Sequence, residues 1–301
     1  MQSTSDHRAG LLFALAGFAL LSTGDAIIKT MSGEWPPVAV AALRFVIGAT
    51  ALSALLVVRQ GPRALRPANP WLQAGRGICL GAASLLFFSA IFVMPLAETT
   101  ALIFVAPIFT SLLSRPLLGE TVRPAVWIAS AIAMVGVAIV LRPNLAEVGW
   151  YALLPLASAL FMSLVMIGNR ASAGTGTPLA MQAYIALGAA AMLLLAALIA
   201  QVSGIEALEA GMPAWHVVAR CAMVAVTAST AHWLVYLGTT RAGAATIAPM
   251  TYIQLLVASI MGWLLFDEVP DALTWLGAAI IVAAGLYLWR DGRELTSSRN
   301  R

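Results

Sequence analysis

The chain of 301 residues is 61% hydrophobic and only 10% charged, whereas ordinary soluble domains are about 25% charged. A soluble protein of this length has no way to hide so much apolar surface, and a lipid bilayer removes that requirement. The net charge of +4 comes without a basic stripe or interleaved aromatic residues, so nucleic acid is not an expected partner. The two cysteines, Cys79 and Cys221, lie in apolar runs, which argues against a disulfide framework and a cysteine-rich metal site.

Apolar segments of about 20 residues, the length that crosses a bilayer core, follow one another along the chain. A cleaved signal peptide is one interpretation of the beginning. Apolar character resumes at 26–28 and many spans follow, so we expect the first helix to be retained. Prolines Pro37 and Pro178 open two spans, where a missing backbone N–H costs least. The sequence predicts an all-α integral membrane protein with ten transmembrane helices at 11–31, 37–58, 77–94, 99–118, 124–141, 149–169, 178–200, 215–238, 244–266 and 272–289.

The stretch from Met94 to Arg142 recurs later in the chain. A shift of 148 positions aligns Glu120 with Glu268, Trp127 with Trp275, and Arg142 with Arg290. A shift of 141 positions aligns the earlier parts, Ser22 with Ser163, Lys29 with Arg170, and Pro37 with Pro178. The chain is therefore predicted to be two five-helix repeats, 1–147 and 148–301, and an odd number of helices per repeat inverts the second copy in the membrane.

The basic residues favour one side of this predicted topology. With the N-terminus inside, the inner segments hold 13 of the 17 basic residues: Arg8, Arg59, Arg63, Arg66, Arg76, Arg115, Arg123, Arg170, Arg241, Arg290, Arg293, Arg299 and Arg301. Basic residues accumulate on the cytoplasmic side of membrane proteins. We therefore expect an inner (plasma) membrane protein with both termini in the cytoplasm.

Two helix ends carry a repeated turn motif. Leu118-Gly119-Glu120 ends the fourth helix, Phe266-Asp267-Glu268 ends the ninth, and the run "ALRF" occupies 42–45. With ten spans in two inverted repeats, these marks resemble the drug/metabolite transporter superfamily, specifically its EamA-domain members, over nearly the whole chain. Asp267 departs from the family's usual Gly. The resemblance implies transport of small organic solutes by alternating access, through a central cavity between helices one to four and six to nine. The run "MPLAETTAL" is similar to members described as uptake carriers for riboflavin or S-adenosylmethionine.

The repeated glutamates Glu120 and Glu268 have two interpretations. As structural turn residues, they accept backbone N–H bonds at the start of the following helix. As functional residues, they are gates or coupling carboxylates. Their position at the membrane faces favours the structural role.

Asp25 and Arg44 are charges inside predicted spans. Arg44 lies seven residues, about 10 Å, inside its helix, and the two are at similar depth if helices one and two are antiparallel neighbours. Such charges pair with each other or line a wet cavity. Lys29, four residues after Asp25, is a further partner within its reach.

Other polar groups fall in the later helices. His232 is followed by Trp233 and, one turn on, by Tyr236. It is either a neutral buried histidine bonded to a hydroxyl or a proton-coupling group. His216 and Arg220 are expected to be interfacial anchors.

Two prolines inside predicted spans, Pro107 and Pro249, each free a backbone carbonyl, and such interruptions often lie beside transporter binding sites. Tyr252 and Gln254 follow Pro249, and an amide at membrane depth is costly without a partner. The cavity candidates are thus Asp25, Arg44, His232, Trp233, Tyr236, Tyr252 and Gln254.

The preferred function is a secondary transporter of a small polar or zwitterionic metabolite, with a ring-bearing solute such as a flavin, a nucleoside derivative or an aromatic amino acid as the favoured type. An intramembrane enzyme acting on a lipid or isoprenoid substrate and a non-transporting scaffold are the alternatives. No catalytic residues, metal site or cofactor are expected, since the three histidines lie far apart and no phosphate loop is present. The expected partners are the solute, the lipid bilayer, and a coupling proton or counter-substrate, with the chain a monomer or homodimer.

Overall fold

Helices account for nearly all of the regular structure in the computed structural model, which describes residues 4–119, 124–172, 174–205, 208–242 and 247–299. The α-helices are α1 (Thr4–Lys29), α2 (Pro37–Gln60), α3 (Pro70–Ile91), α4 (Leu96–Ile103), α5 (Ala106–Leu118), α6 (Pro124–Val148), α7 (Leu154–Ala171), α8 (Pro178–Val202), α9 (Trp215–Ala242), α10 (Ile253–Phe266) and α11 (Ala272–Arg299). Short 3-10 helices occupy Pro62–Leu65, Gly149–Leu153 and Ala248–Tyr252.

Eight helical segments of the described chain are long and apolar enough to cross a membrane. One of them, Leu96–Leu117, comprises α4 and α5 together. The segments Met250–Phe266 and Ala272–Tyr287 are apolar but shorter. These helices confirm an all-helical integral membrane protein, while the count of ten spans stays a prediction.

The fourth and ninth predicted spans are interrupted at corresponding places. Helix α4 ends at Ile103 and α5 begins at Ala106, with Pro107 in the first turn of α5. In the second copy Pro249 lies in the 3-10 helix that precedes α10. Proline has no backbone N–H and tolerates only the first turn of an α-helix, which is the position that Pro107 takes.

Polar contacts define two ends of the helix bundle. We call one end the acidic face, made of segments 30–36, 92–95, 203–205, 208–214 and 267–271. There Trp35 Nε1 donates to the Gly211 carbonyl at 3.0 Å, and Ser32 Oγ donates to the Phe92 carbonyl at 3.2 Å. The opposite end, the basic face, contains segments 61–69 and 174–177, which approach each other through Gln60 and Thr177 at 3.0 Å.

Small residues bring the helices together. Helix α1 packs along α9, α2 along α8, α3 along α7 and α8, and α6 along α11. At the crossing of α3 and α8, a Cβ built on Gly77 would lie 2.5 Å from the Cα of Gly188. Because no side chain fits in that space, the two backbones approach as closely as is typical of helix pairs in membranes.

Near the acidic face, apolar side chains from several helices form a cluster that we call the apolar plug. Its fully buried members include Ile28, Met31, Val40, Phe88, Ile91, Leu96, Val217 and Cys221. These residues come from α1 and the turn after it, from α2, α3, α4 and α9. The plug therefore closes the bundle on the side of the acidic face.

The two repeated turn motifs share a backbone conformation. Gly119 ends α5 with φ 71° and Asp267 ends α10 with φ 55°, both left-handed. Glycine adopts this conformation without steric cost, whereas a residue with a Cβ does so with strain. Asp267 thus ends α10 in the same left-handed conformation as Gly119, although glycine is the residue that suits this conformation best.

Candidate functional site

Asp25 and Arg44 lie beside the same stretch of α9, although α1 packs along α9 rather than along α2. Helices α1 and α9 approach at Gly24, where a Cβ would lie 3.4 Å from the Thr227 hydroxyl oxygen. The Cys221 sulfur lies 4.0 Å from the Val40 carbonyl oxygen of α2. Arg44 is one turn beyond Val40, so both charges lie beside the same two turns of α9.

These two charges do not form an ion pair. They are within electrostatic range of each other, but no ion pair within 4.0 Å joins them among the described residues. Neither has a hydrogen-bond partner in the described part of the chain, and both side chains are partly exposed. An isolated charge at this depth costs several kcal/mol unless it faces water. The structure thus lacks the direct ion pair between Asp25 and Arg44 that was one of the two expectations for these charges.

Aromatic rings hold the guanidinium of Arg44. Its Cζ atom lies 4.8 Å from the ring centre of Phe45 and 5.3 Å from that of Phe88. Both phenylalanines belong to the buried plug. A cation over aromatic rings is stabilised by their quadrupoles, so Arg44 is fixed in place without an acidic partner.

His232 is an exposed residue of α9 within electrostatic range of Arg44. It follows Thr227 by five residues and so lies about 7 Å further from the acidic face. Trp233 and Tyr236, 61% and 40% exposed, have ring centres 5.8 Å apart. Helical geometry turns Trp233 about 100° away from His232. The structure therefore groups His232 with Asp25 and Arg44, and pairs Trp233 with Tyr236.

Tyr252 makes its side-chain packing contacts with residues outside this group. Its ring packs edge-on against Phe104 at 5.1 Å, and its hydroxyl lies against Gly285 of α11. The lack of a side chain at Gly285 leaves room for the phenol, which turns Tyr252 toward α11. The structure thus gives Tyr252 packing contacts with α11.

Gln254 finds hydrogen-bond partners within its own turn. Its amide nitrogen donates to the Thr251 hydroxyl at 2.8 Å and to the Thr251 carbonyl at 3.3 Å. The Gln254 carbonyl accepts from Ser22 Oγ at 3.0 Å, which joins α1 to α10. These hydrogen bonds within one turn offset the free-energy cost of placing the Gln254 amide at membrane depth.

Glu268 reaches across to the first predicted repeat. It forms an ion pair with Lys29, and its Oε2 accepts from the Leu96 backbone N–H at 2.9 Å. Lys29 also donates to the Met94 carbonyl at 2.5 Å. The expectation that Glu268 receives N–H bonds from the following helix was wrong, because Asp271 does so instead, with its Oδ1 2.6 Å from the Thr274 nitrogen. Lys29, at the end of α1, pairs with Glu268 rather than with Asp25.

A second cluster joins the two predicted repeats at the acidic face. Glu34 accepts from Arg220 Nη1 at 2.7 Å and contacts His216 Nε2 at 2.8 Å. Arg220 also donates to the Thr30 carbonyl at 3.1 Å. The hydrogen bond from Arg220, together with His216, holds the pKa of the Glu34 carboxyl below its ordinary value. His216 and Arg220, expected to be interfacial anchors, thus connect α9 to the turn after α1.

Arg76 of α3 forms a further polar cluster near the basic face. Its guanidinium donates to Asn169 Oδ1, at 3.0 Å from Nε and 2.5 Å from Nη2, and to Gln73. The sequence also relates this cluster to that of Arg220. A shift of 144 positions aligns Trp71 with Trp215 and Arg76 with Arg220.

Glu120 lies outside the described residues. In the described part of the chain, no group of three or more His, Cys, Asp or Glu side chains is placed to hold a metal ion.

The long apolar helices define an integral membrane protein, and comparisons with known proteins identify its family. The EamA-like transporter family matches residues 8–142 and 149–290. The chain therefore belongs to the EamA-like transporter family, within the drug/metabolite transporters.

Curated relatives are named for different solutes. A riboflavin transporter of Rhizobium johnstonii is 28% identical over 77% of this chain and 74% of its own. An S-adenosylmethionine uptake transporter of Rickettsia prowazekii is 22% identical over 97% and 96%. The pseudopaline exporter CntI of Pseudomonas aeruginosa is 29% identical over 94% and 96%. A crystal structure with 22% identity matches at a TM-score of 0.63 over 93% of this chain and 97% of that chain, which shows a shared fold.

Proposed function

We propose that this protein is a secondary transporter that moves a small polar or zwitterionic organic metabolite across the cell's inner membrane by alternating access. The observation that carries the proposal is the pair of partly exposed charges, Asp25 and Arg44, which have no hydrogen-bond partner among the described residues and which we infer to line a water-filled cavity below the apolar plug. Relatives named for uptake and for export leave the direction to experiment, because one fold serves both.

The groups near the cavity favour a polar solute. Asp25 and Arg44 supply both signs of charge, and His232 adds a hydrogen-bonding ring. Tyr236, which is 40% exposed and lies one turn beyond His232 on the same helix, offers aromatic surface to a solute with a flat ring. A riboflavin-like, S-adenosylmethionine-like or aromatic amino acid solute fits this combination better than a purely aliphatic one.

Alternating access requires that the acidic face open. Lys29 and Leu96 belong to the first proposed repeat and Glu268 to the second, so their contacts must break when the repeats separate. The same holds for Glu34 and Arg220. We infer that these cross-repeat contacts stabilise the state in which the cavity is shut off from the acidic face.

We propose ten membrane spans in two inverted repeats, 1–147 and 148–301, with the acidic face outside and both termini in the cytoplasm. Three sets of aligned residues and the matching left-handed turns at Gly119 and Asp267 support this topology. Cysteines introduced at Arg63 and at Glu209, in a chain without Cys79 and Cys221, should react with an impermeant reagent from opposite sides. Reaction of both from the same side would refute the topology.

Uptake into proteoliposomes, measured across a panel of labelled metabolites, tests the function directly. We expect at least one polar solute to accumulate, and Asp25→Asn and Arg44→Gln to reduce its uptake. Glu209→Gln, which removes one exposed charge at the acidic face, is the matched control and should transport normally. A protein that folds and yet moves no solute in the panel, with or without a proton gradient or counter-substrate, would contradict the proposal and favour a scaffold. Chemical conversion of a lipid substrate would favour an enzyme.

A further inference from the structure

The feature that carries a further inference is the gap between Asp25 and Arg44. Opposite charges within electrostatic range and in a low dielectric attract each other strongly. A salt bridge between them would still have to meet the cost of removing both from water. Here they remain apart, without hydrogen-bond partners in the described part of the chain and with part of each side chain exposed. The cavity thus presents a fixed carboxylate and a fixed guanidinium at one level.

Packing explains why the two groups keep their separation. Arg44 lies against the rings of Phe45 and Phe88, at 4.8 and 5.3 Å. Asp25 follows Gly24, which brings α1 close to α9 near Val224 and so fixes the backbone that carries the carboxylate. Preorganised groups of this kind bind a ligand without the cost of first being ordered.

We propose that Asp25 and Arg44 form a headgroup site for an α-amino acid moiety, in which Asp25 accepts from the substrate ammonium and Arg44 donates to its carboxylate. This inference rests on the proposed transport function and names its substrate class. A guanidinium suits a carboxylate because its N–H groups form a fork that matches the two oxygens. Each charge-assisted hydrogen bond spans about 2.8 Å, so a headgroup with both charges fills a gap wider than a direct ion pair.

The surroundings also set the orientation of the substrate. The plug closes the space on the side of the acidic face, with Phe88 2% exposed and Cys221 fully buried. His232 lies about 7 Å further from that face and is exposed. The headgroup therefore binds against the plug, and the rest of the substrate points toward His232 and the basic face.

The test compares analogues that differ only in the headgroup charges. The purified protein is heated with each of the twenty standard L-α-amino acids as probes, and those that raise its melting temperature are compared with their N-acetyl and amide derivatives. We expect at least one amino acid to stabilise the protein, with apparent affinity at least tenfold higher than that of either derivative. No stabilisation by any amino acid, or equal affinity for the derivatives, would overturn the headgroup site. Transport of another solute in the uptake assay would then leave the proposed function standing.

Variants that remove the charge of Asp25 or of Arg44 test which residue binds the ammonium and which binds the carboxylate. Asp25→Asn should remove the preference for the free ammonium over the N-acetyl form, while the preference for the carboxylate over the amide remains. Arg44→Gln should remove the preference for the carboxylate over the amide, while the preference for the free ammonium remains. Asp25→Glu and Arg44→Lys keep the charges and should keep both preferences in part, which provides a readout if the neutral variants fold poorly. Loss of both preferences in both neutral variants would refute the assignment of one charge to each group.

Discussion

Replacing Glu268 by Gln should open the acidic face, because it removes the carboxylate that is ion-paired with the Lys29 ammonium. Lys29 is 7% exposed, donates to the Met94 carbonyl and would keep the electrostatic attraction of Glu98. Removing one partner of a fully buried ion pair costs about 3–5 kcal/mol. Because the Glu268 side chain is 22% exposed, we expect a smaller loss of about 1.4–2.8 kcal/mol. That loss raises the ratio of open to closed protein roughly ten- to a hundredfold.

The native Cys221 provides the assay. It is fully buried in the plug, and Cys79→Ser makes it the only thiol. An impermeant maleimide applied from the acidic face should label it ten to a hundred times faster in Glu268→Gln than in the parent. Adding Lys29→Met removes the stranded charge and should restore much of the slow rate. Glu209→Gln changes the same charge at an exposed site and should label at the parent rate, and parental labelling of Glu268→Gln as well would refute the proposed closure.

Three further substitutions test other parts of the structure by thermal or chemical unfolding in detergent. Gly77→Ala should destabilise by about 1–3 kcal/mol, since its Cβ would meet backbone at 2.5 Å, whereas Gly75→Ala on the same helix has nothing within 4 Å and should be neutral or slightly stabilising. Asp267→Gly should stabilise by about 0.5–1 kcal/mol through relief of its left-handed conformation, and a loss of stability would show that the aspartate has another role. Glu34→Gln should lower the melting temperature above the ordinary glutamate pKa of 4.5, and the difference from the parent should vanish as pH falls through the lowered pKa of the native Glu34 carboxyl.

The sequence predicted the helices well where apolar runs are long and missed boundaries where polar residues are buried. The third span was predicted to begin at 77, yet α3 begins at Pro70. Asn69 caps this helix by accepting the Leu72 N–H at 3.1 Å. Gln73 and Arg76 are buried in its first turns, because they bond to each other and to α7. Composition alone cannot show that two polar residues will satisfy each other inside a bundle.

The sequence identifies individual residues of the candidate site, but it does not show which residues pair with each other. Asp25 and Arg44 stand out as charges in apolar runs, and the cost of burying a charge points to a cavity. The partner of Lys29 was not predictable from local spacing. Residues four apart on a helix are neighbours, which suggested Asp25, but the end of α1 meets a turn that is more than 230 positions away in the chain.

The two proposed repeats carry arginines at aligned positions, in different electrostatic surroundings. Arg220 near the acidic face is bound to the half-exposed carboxylate of Glu34, whereas Arg76 near the basic face is buried among neutral side chains. Interactions between charges near water weaken as salt rises, and those of Glu34 also weaken with protonation. Hydrogen bonds from a buried guanidinium to neutral amides, such as those of Arg76, respond neither to salt nor to the protonation of a carboxylate. If the proposed repeats hold, aligned arginines make the contacts at the acidic face sensitive to salt and pH, while those near the basic face depend on packing.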